Sequence, residues 1–288
     1  VTFEMFVTVM MNGLTLGALY FIVASGFSLI FGLMRTVNMA HGTLYLIGAY
    51  LGYSVYDLTE NWYYAIAAGM TAAAVFGAIM QVTLLGWMQG QELRQALVTI
   101  GLSIIVADQL LAHYGGLSLQ FFPPDALFGA TAFPIIERYP TFRLFQIGAA
   151  VAVGVALWLI LNRTKLGLMI RAGVDDREML AAMGVRVSLV AVVVFALGAA
   201  LAGLGGVIGG SAQPFSQGTD VRFLLTSLVV VIVGGMGSIG GTAIGAIIVG
   251  MAEQWGQALF PTYSVIVTFV IMAAVLAVRP QGIMGRPS

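Results

Sequence analysis

His41 and His113 are the two histidines of the chain, Lys165 is its one lysine, and there is no cysteine. Nucleophilic, general-base, metal and phosphate chemistry draw on these residue types, and their spacing here serves none of them. The histidines are too far apart for an HExxH pair on one helix face, and no serine stands in G-x-S-x-G. A Walker A loop needs glycine before its lysine and Ser or Thr after it, so that backbone amides cradle phosphate. Lys165 has Thr164 before it and Leu166 after it. Without cysteine there is neither a disulfide nor a thiolate metal site. The expectation is a chain that is not an enzyme and holds no cofactor or metal; any ATP-driven work must be powered by another subunit.

The charged residues carry more information. The stretch RAGVDDREMLAAMGVRV (Arg171 to Val187) is rich in charge, with Arg171, Asp175, Asp176, Arg177, Glu178 and Arg186, and its flanks are nearly bare of it. Asp108 and Glu253 stand inside apolar runs, where an acid is costly and often relays protons or binds a coupling ion. His41 lies in NMAHG (Asn38 to Gly42), a polar break between two apolar runs. Non-helical backbone at membrane depth is tolerated only inside protein or beside water. Asn38 and His41 therefore either line a translocation path or satisfy the backbone groups freed at the break.

What positions these residues follows from composition. Hydrophobic residues make up 60% of the chain, charged residues 8%, and the mean hydropathy is +0.99, against a soluble norm of roughly 25% charged. This is the composition of a membrane protein, and about 20 apolar residues suffice for one helical crossing. The clearest runs are Met5 to Met34, Trp62 to Met88, Leu144 to Leu161, Ser188 to Gly210, Phe223 to Ala252 and Ser264 to Val278. Thr36 to Tyr56 and Ala96 to Ala112 join them. Continuous rather than alternating hydrophobicity excludes barrel strands. The run from Phe223 is interrupted by GGMGSIGG (Gly234 to Gly241), which predicts one helix on either side of a glycine break. The fold class is all-α and polytopic, with about 8–10 transmembrane helices broken at glycine-rich segments, in a single transmembrane domain over residues 1–288. The start, VTFEMFVTVMMNG, has no basic segment ahead of its apolar run and reads as a span rather than a cleavable leader. A formal charge of zero gives no hint of a nucleic-acid partner.

Lys and Arg in short loops mark the cytoplasmic side. Arg94, Arg163, Lys165, Arg171, Arg177, Arg186, Arg279 and Arg286 fall on one side of the predicted spans. Arg138, Arg143 and Arg222 fall on the other, and Arg35 is not placed. The charged stretch thus lies in a cytoplasmic loop, 162–187. Within it Asp175 is expected to cap a short helix, Glu178 to complete a capping box and Gly184 to end it. Met179, Leu180 and Met183 form an apolar stripe. A helix this short is marginal alone and needs a surface, its own protein or a cytoplasmic partner. The long outer segment from His113 to Arg143, with its prolines, is expected to form ordered irregular structure that receives an external partner.

Glycines and alanines at four-residue spacing (Ala202, Gly206 and Gly210; Gly241 and Gly245; Ala246 and Gly250) predict close helix crossings. GGMGSIGG is too broken for such a ridge, and Gly234, Gly235, Gly237 and Ser238 are expected to present freed amides and carbonyls to the translocation path. QGQELRQALVT (Gln89 to Thr99) aligns with QGTDVRFLLTS (Gln217 to Ser227). An odd number of spans separates the two, which predicts two inverted repeats.

Asn12 to Tyr50, Gly173 to Val187, Gly234 to Gly250 and the ending LAVRPQGIMGR (Leu276 to Arg286) closely resemble the LivH-type permeases of bacterial branched-chain amino acid ABC importers, in the same order and over nearly the whole chain. The resemblance implies a multi-pass permease of the bacterial inner membrane, in contact with membrane lipid. It would work with a second related permease, two cytoplasmic ATPase subunits and a periplasmic solute-binding protein. It further implies that Val174, Asp175, Asp176, Arg177, Glu178, Met179, Leu180, Met183 and Gly184 belong to the ATPase-coupling loop. LAAMG (Leu180 to Gly184) departs from importers at large, which carry a glutamate before the two alanines. The solutes implied are branched-chain amino acids or a related small amino acid, amide or organic acid. The competing reading is an ion-coupled secondary transporter using Asp108 or Glu253.

Overall fold

The computed structural model describes residues 3–34, 38–132, 138–279 and 281–285. Arg35, Arg286 and residues 133–137 of the outer segment lie outside them. Eleven α-helices run through the described residues: α1 Phe3–Met34, α2 His41–Thr59, α3 Trp62–Thr83, α4 Glu92–Tyr114, α5 Thr141–Arg163, α6 Lys165–Asp175, α7 Arg177–Ala182, α8 Val187–Ala212, α9 Thr219–Gly234, α10 Ile239–Leu259 and α11 Ser264–Val278. The fold is all-α and polytopic. Helices α1, α3, α4, α5 and α8 are each long and apolar enough to cross a membrane. Helices α9 and α10 pass that test only together, and are bent by 116° at the glycine break. Helix α11, with 15 residues, is shorter than a full crossing. The loop 162–187, expected at the cytoplasmic face, differs from the expectation too, holding two helices, α6 and α7, instead of one.

Helix α1 has 32 residues and is about 48 Å long at 1.5 Å per residue. It is apolar all round and lies at the centre, as such a helix must. Small residues bring its neighbours in. A β-carbon at Gly26 would sit 2.3 Å from the Gly198 carbonyl oxygen where α1 crosses α8. Gly13 and Gly17 face Gly250 and Ala246 of α10, while Gly69 and Ala73 of α3 face Gly203 of α8. Gly206 lies on the backbone of Tyr45 in α2, and Gly241 and Gly245 lie on the last turn of α9. Gly206, Gly241, Gly245 and Gly250 of the four-residue ridges are thus at helix crossings, whereas Gly210 faces the rings of Phe121 and Phe215.

These crossings repeat. Helix α3 packs along α8 as α10 packs along α1; α2 packs on α3 and α8 as α9 packs on α10 and α1; α4 touches α2 as α11 touches α9. Helices α1–α4 and α8–α11 therefore repeat one packing pattern, with α5–α7 inserted between them. The expected alignment of Gln89 with Gln217 does not give this correspondence, because it pairs α4 with α9. The counterpart of α9 is α2. Gln89 and Gln217 share only the polar lead-in of a helix that starts a few residues later.

One end of the bundle gathers the ends of α1 and α9, the start of α10 and the helix pair α6–α7. Gly237 faces Gly32 there, and Gly173 of α6 faces Leu33. Arg94, Arg163, Lys165, Arg171, Arg186 and Arg279 lie toward this end, which the charge rule makes cytoplasmic. At the opposite end the segment after α4 is anchored by a Leu119–Phe215 bridge and by the fully buried ring of Phe121. A two-residue antiparallel pair, Ala130–Thr131 with Tyr139–Pro140, closes it before α5.

Candidate functional sites: the cytoplasmic helix pair and the intramembrane polar residues

Helix α6 turns back under α5. Thr164 Oγ1 accepts the Gly167 amide at 3.2 Å, and Arg171 donates to Asn162 Oδ1 at 3.0 Å. The chain then breaks and restarts as α7. Its cap is Asp176, whose Oδ1 accepts the Met179 amide at 2.9 Å; the expected cap, Asp175, is instead the last residue of α6. The cap shifts by one because α6 runs on to Asp175, and Glu178 consequently sits in the first turn of α7, where an acid favours the helix dipole.

The end of α7 is as expected. Gly184 takes φ +83°, its amide donates to Ala181 O at 3.0 Å, and the Val185 amide donates to Leu180 O at 3.4 Å. This is the paired closure that calls for glycine in the left-handed position. The apolar stripe divides. Leu180 is buried against Gly173, and Val174 is half-buried in the same core. Met179 and Met183 point away, 60% and 74% exposed. Asp176, Glu178 and Gly184 are exposed beside them. The side chains of Asp175 and Arg177 lie outside what the structure describes.

Asn38 and His41 are closed inside the protomer. Asn38 Oδ1 accepts the Ala40 amide at 3.0 Å, His41 Nε2 donates to the Val23 carbonyl at 2.9 Å, and the imidazole stands edge-on to Phe27. Thr99 of α4 accepts the Met39 amide at 3.1 Å. Of the two readings of this break, these bonds match the satisfaction of backbone groups. Both side chains are buried, with Asn38 Nδ2 and His41 Nδ1 left without a hydrogen-bond partner, and neither belongs to the cavity of about 500 Å³ at the surface between Tyr56–Tyr63 and Phe122–Phe128 or to the one of about 340 Å³ beside α11.

The glycine break is likewise internal. The Ile283 and Met284 amides bind the Val233 and Gly234 carbonyls, each at 2.9 Å. Gly235 and Gly237 hold φ of +109° and +79°. A β-carbon on Gly235 would sit 2.3 Å from the Gly285 nitrogen. Ser238 caps α10 by accepting the Gly241 amide at 3.1 Å. The Gly234 carbonyl, expected to be free, is thus bonded to the C-terminal segment.

Glu253 of α10 is held from two other helices. Arg222 of α9 lies 3.0 Å from its Oε1, and the Tyr20 hydroxyl of α1 donates to its Oε2 at 2.5 Å. Sequence reasoning found Glu253 but assigned no role to Tyr20 and placed Arg222 in an outer loop. The signal was Asp220-Val221-Arg222 at the head of an apolar run, too short a cue to predict a tertiary pair. Asp108 is exposed on the outward face of α4. Arg143, expected to meet an external partner, donates to Asn12 and lies 5.9 Å from the Tyr139 ring centre, while Arg138 is exposed.

Residues 9–276 match a family model described as the permease component of the branched-chain amino acid transport system. The chain is 27% identical to the high-affinity branched-chain amino acid transport system permease protein BraD of Pseudomonas aeruginosa, over 96% of this chain and 95% of that one. It is 27% identical to the corresponding permease protein LivH of Escherichia coli, over 99% and 97%. Among solved structures it is similar to PsaBC from Streptococcus pneumoniae in complex with Fab, with a TM-score of 0.51 and 12% identity over 93% of this chain and 89% of that one, a likeness of fold alone.

Proposed function

The chain belongs to the permease components of branched-chain amino acid transport systems, and from that membership we propose how it works: as one half of a two-permease path in an ATP-driven importer of branched-chain amino acids, in the bacterial inner membrane. Two cytoplasmic ATPase subunits drive it, and a periplasmic solute-binding protein feeds it. This chain supplies the path and the coupling element, and its partners supply ATP hydrolysis and much of the solute selection.

The observation that carries the coupling role is the exposure of Met179 and Met183 on a six-residue helix otherwise held by its caps and Leu180. Two unbranched apolar side chains displayed at the cytoplasmic end fit a groove on a partner. Val174 and Leu180 root the helix in the bundle, so a push on the methionines moves α6, α8 and the end of α1 together. Asp176, Glu178 and Gly184 keep it formed, and Asp175 and Arg177 lie at the joint with α6. In this reading Gly234, Gly235, Gly237 and Ser238 are the pivot between α9 and α10. Asn38 and His41 set the entry of α2, and all six act on the path by positioning those helices. The ion-coupled alternative loses its better acid, because Glu253 is already neutralised by Arg222.

Met183→Arg would place an unpaired charge in the partner groove, which is strongly unfavourable. The expected result is loss of the ATPase subunits on co-purification, with membrane insertion unchanged. Normal ATP-driven leucine uptake by that variant complex would refute the coupling role.

A further inference from the structure

Arg222 is 49% exposed at the surface of the protomer although it belongs to an intramembrane helix. Twelve residues of α9 separate it from Gly234 at the cytoplasmic end, which puts it about 18 Å up the bundle, in the outer half of a core roughly 30 Å thick. Around it the surface is polar: Gln217 is exposed, Glu253 is 14% exposed, and Gln257, also exposed, donates to Glu253 Oε1 at 3.3 Å. The outward faces of α5 and α11 are of another kind, with Val151 and Val155 on α5 and Phe269 and Val270 on α11. Those suit hydrocarbon. A half-exposed guanidinium with two glutamines does not, so this face is turned toward water or protein.

We propose that Arg222, Glu253 and Gln257 form one wall of the outer vestibule of the translocation path, and that the wall receives a zwitterionic amino acid. The proposal rests on the importer reading above. Arg222 lies in the first turn of α9, where the helix dipole favours an anion, and its planar fork suits a carboxylate in bidentate fashion. Glu253, held by Tyr20 from behind, offers a carboxylate to the ammonium group. The pair is neutral before the solute arrives and matches both of its charges, so neither protein charge is left buried and unpaired at any stage. An apolar side chain on the solute would lie along the exposed Val221 and Leu225.

The chain has no cysteine, so a single one reports position. In the assembled complex in vesicles, Gln257→Cys should react with a membrane-impermeant methanethiosulfonate reagent at least about tenfold faster than Val155→Cys on the apolar face of α5, as expected of a wetted against a lipid-facing thiol. Equal rates would overturn the vestibule, and this comparison needs no solute. If the wild-type complex takes up no leucine, the importer's solute is wrong but the face is still decided by labelling. Where leucine is carried, Arg222→Gln should lower uptake about tenfold or more, the equivalent of one lost charge-assisted hydrogen bond. A merely structural ion pair would be restored by the neutral double variant Arg222→Gln, Glu253→Gln. Recovery of uptake in that double variant would overturn solute recognition; continued loss with the complex assembled supports it.

Discussion

At the level of single residues, α7 shows how a few polar atoms hold a segment too short to be stable alone. Removing the Asp176 carboxylate leaves the first amides of α7 without their acceptor. Asp176→Ala should cost on the order of 1 kcal/mol of helix stability and weaken ATPase stimulation by loaded binding protein while the complex stays intact. Gly184→Ala forces a β-carbon into φ +83° and should cost about as much; ATPase stimulation indistinguishable from wild type in both variants would show that α7 is held by its partner and not by its caps. The C-terminal stop was legible because only glycine fits it. The cap was legible only to within a residue, because Asp175 and Asp176 are both competent and the choice depends on where α6 ends. The Arg222–Glu253–Tyr20 group was not legible, since its members come from three helices far apart in sequence and no local pattern records a tertiary ion pair.

At the level of the helices, small residues decide the packing, and their effect depends on what they face. Gly26 and Gly198 face each other at the α1–α8 crossing, where any side chain would strike backbone. Gly101 of α4 has nothing within 4 Å of its would-be β-carbon. Gly26→Val should therefore abolish a monodisperse, heat-resistant permease in detergent-based size exclusion, whereas Gly101→Ala should leave the profile and melting temperature within a degree or so, gaining helix propensity. Comparable losses in both would mean that the crossing is not the determinant. The ridges could be read from four-residue spacing because helices in lipid associate through close backbone approach. Spacing says that a helix has a close neighbour, not which one. For the same reason GGMGSIGG looked like free backbone, when the Val233 and Gly234 carbonyls bond Ile283 and Met284, 50 residues further along.

Over the whole molecule the two copies of the four-helix unit give a path that opens alternately to either side a natural basis, since each copy is the other turned over. The expectation of a repeat rested on Gln89 and Gln217, which do not start corresponding helices. Helix starts share polar residues whatever their place in the fold, so an eleven-residue match in an apolar chain picks out helix starts rather than equivalent helices. With α2 matched to α9, the two helices should end on opposite faces of the membrane. Leu58 in the last turn of α2 is 83% exposed, and Met236 just beyond α9 is 53% exposed. In right-side-out vesicles an impermeant thiol reagent should label Leu58→Cys and spare Met236→Cys, and in inside-out vesicles the pattern should reverse. Gln91→Cys, ahead of α4, should follow Met236→Cys, because α4 starts at the cytoplasmic end and α9 finishes there. Labelling of Leu58→Cys and Met236→Cys from the same side would break the inverted correspondence and, with it, the assignment of the charged helix pair to the cytoplasm.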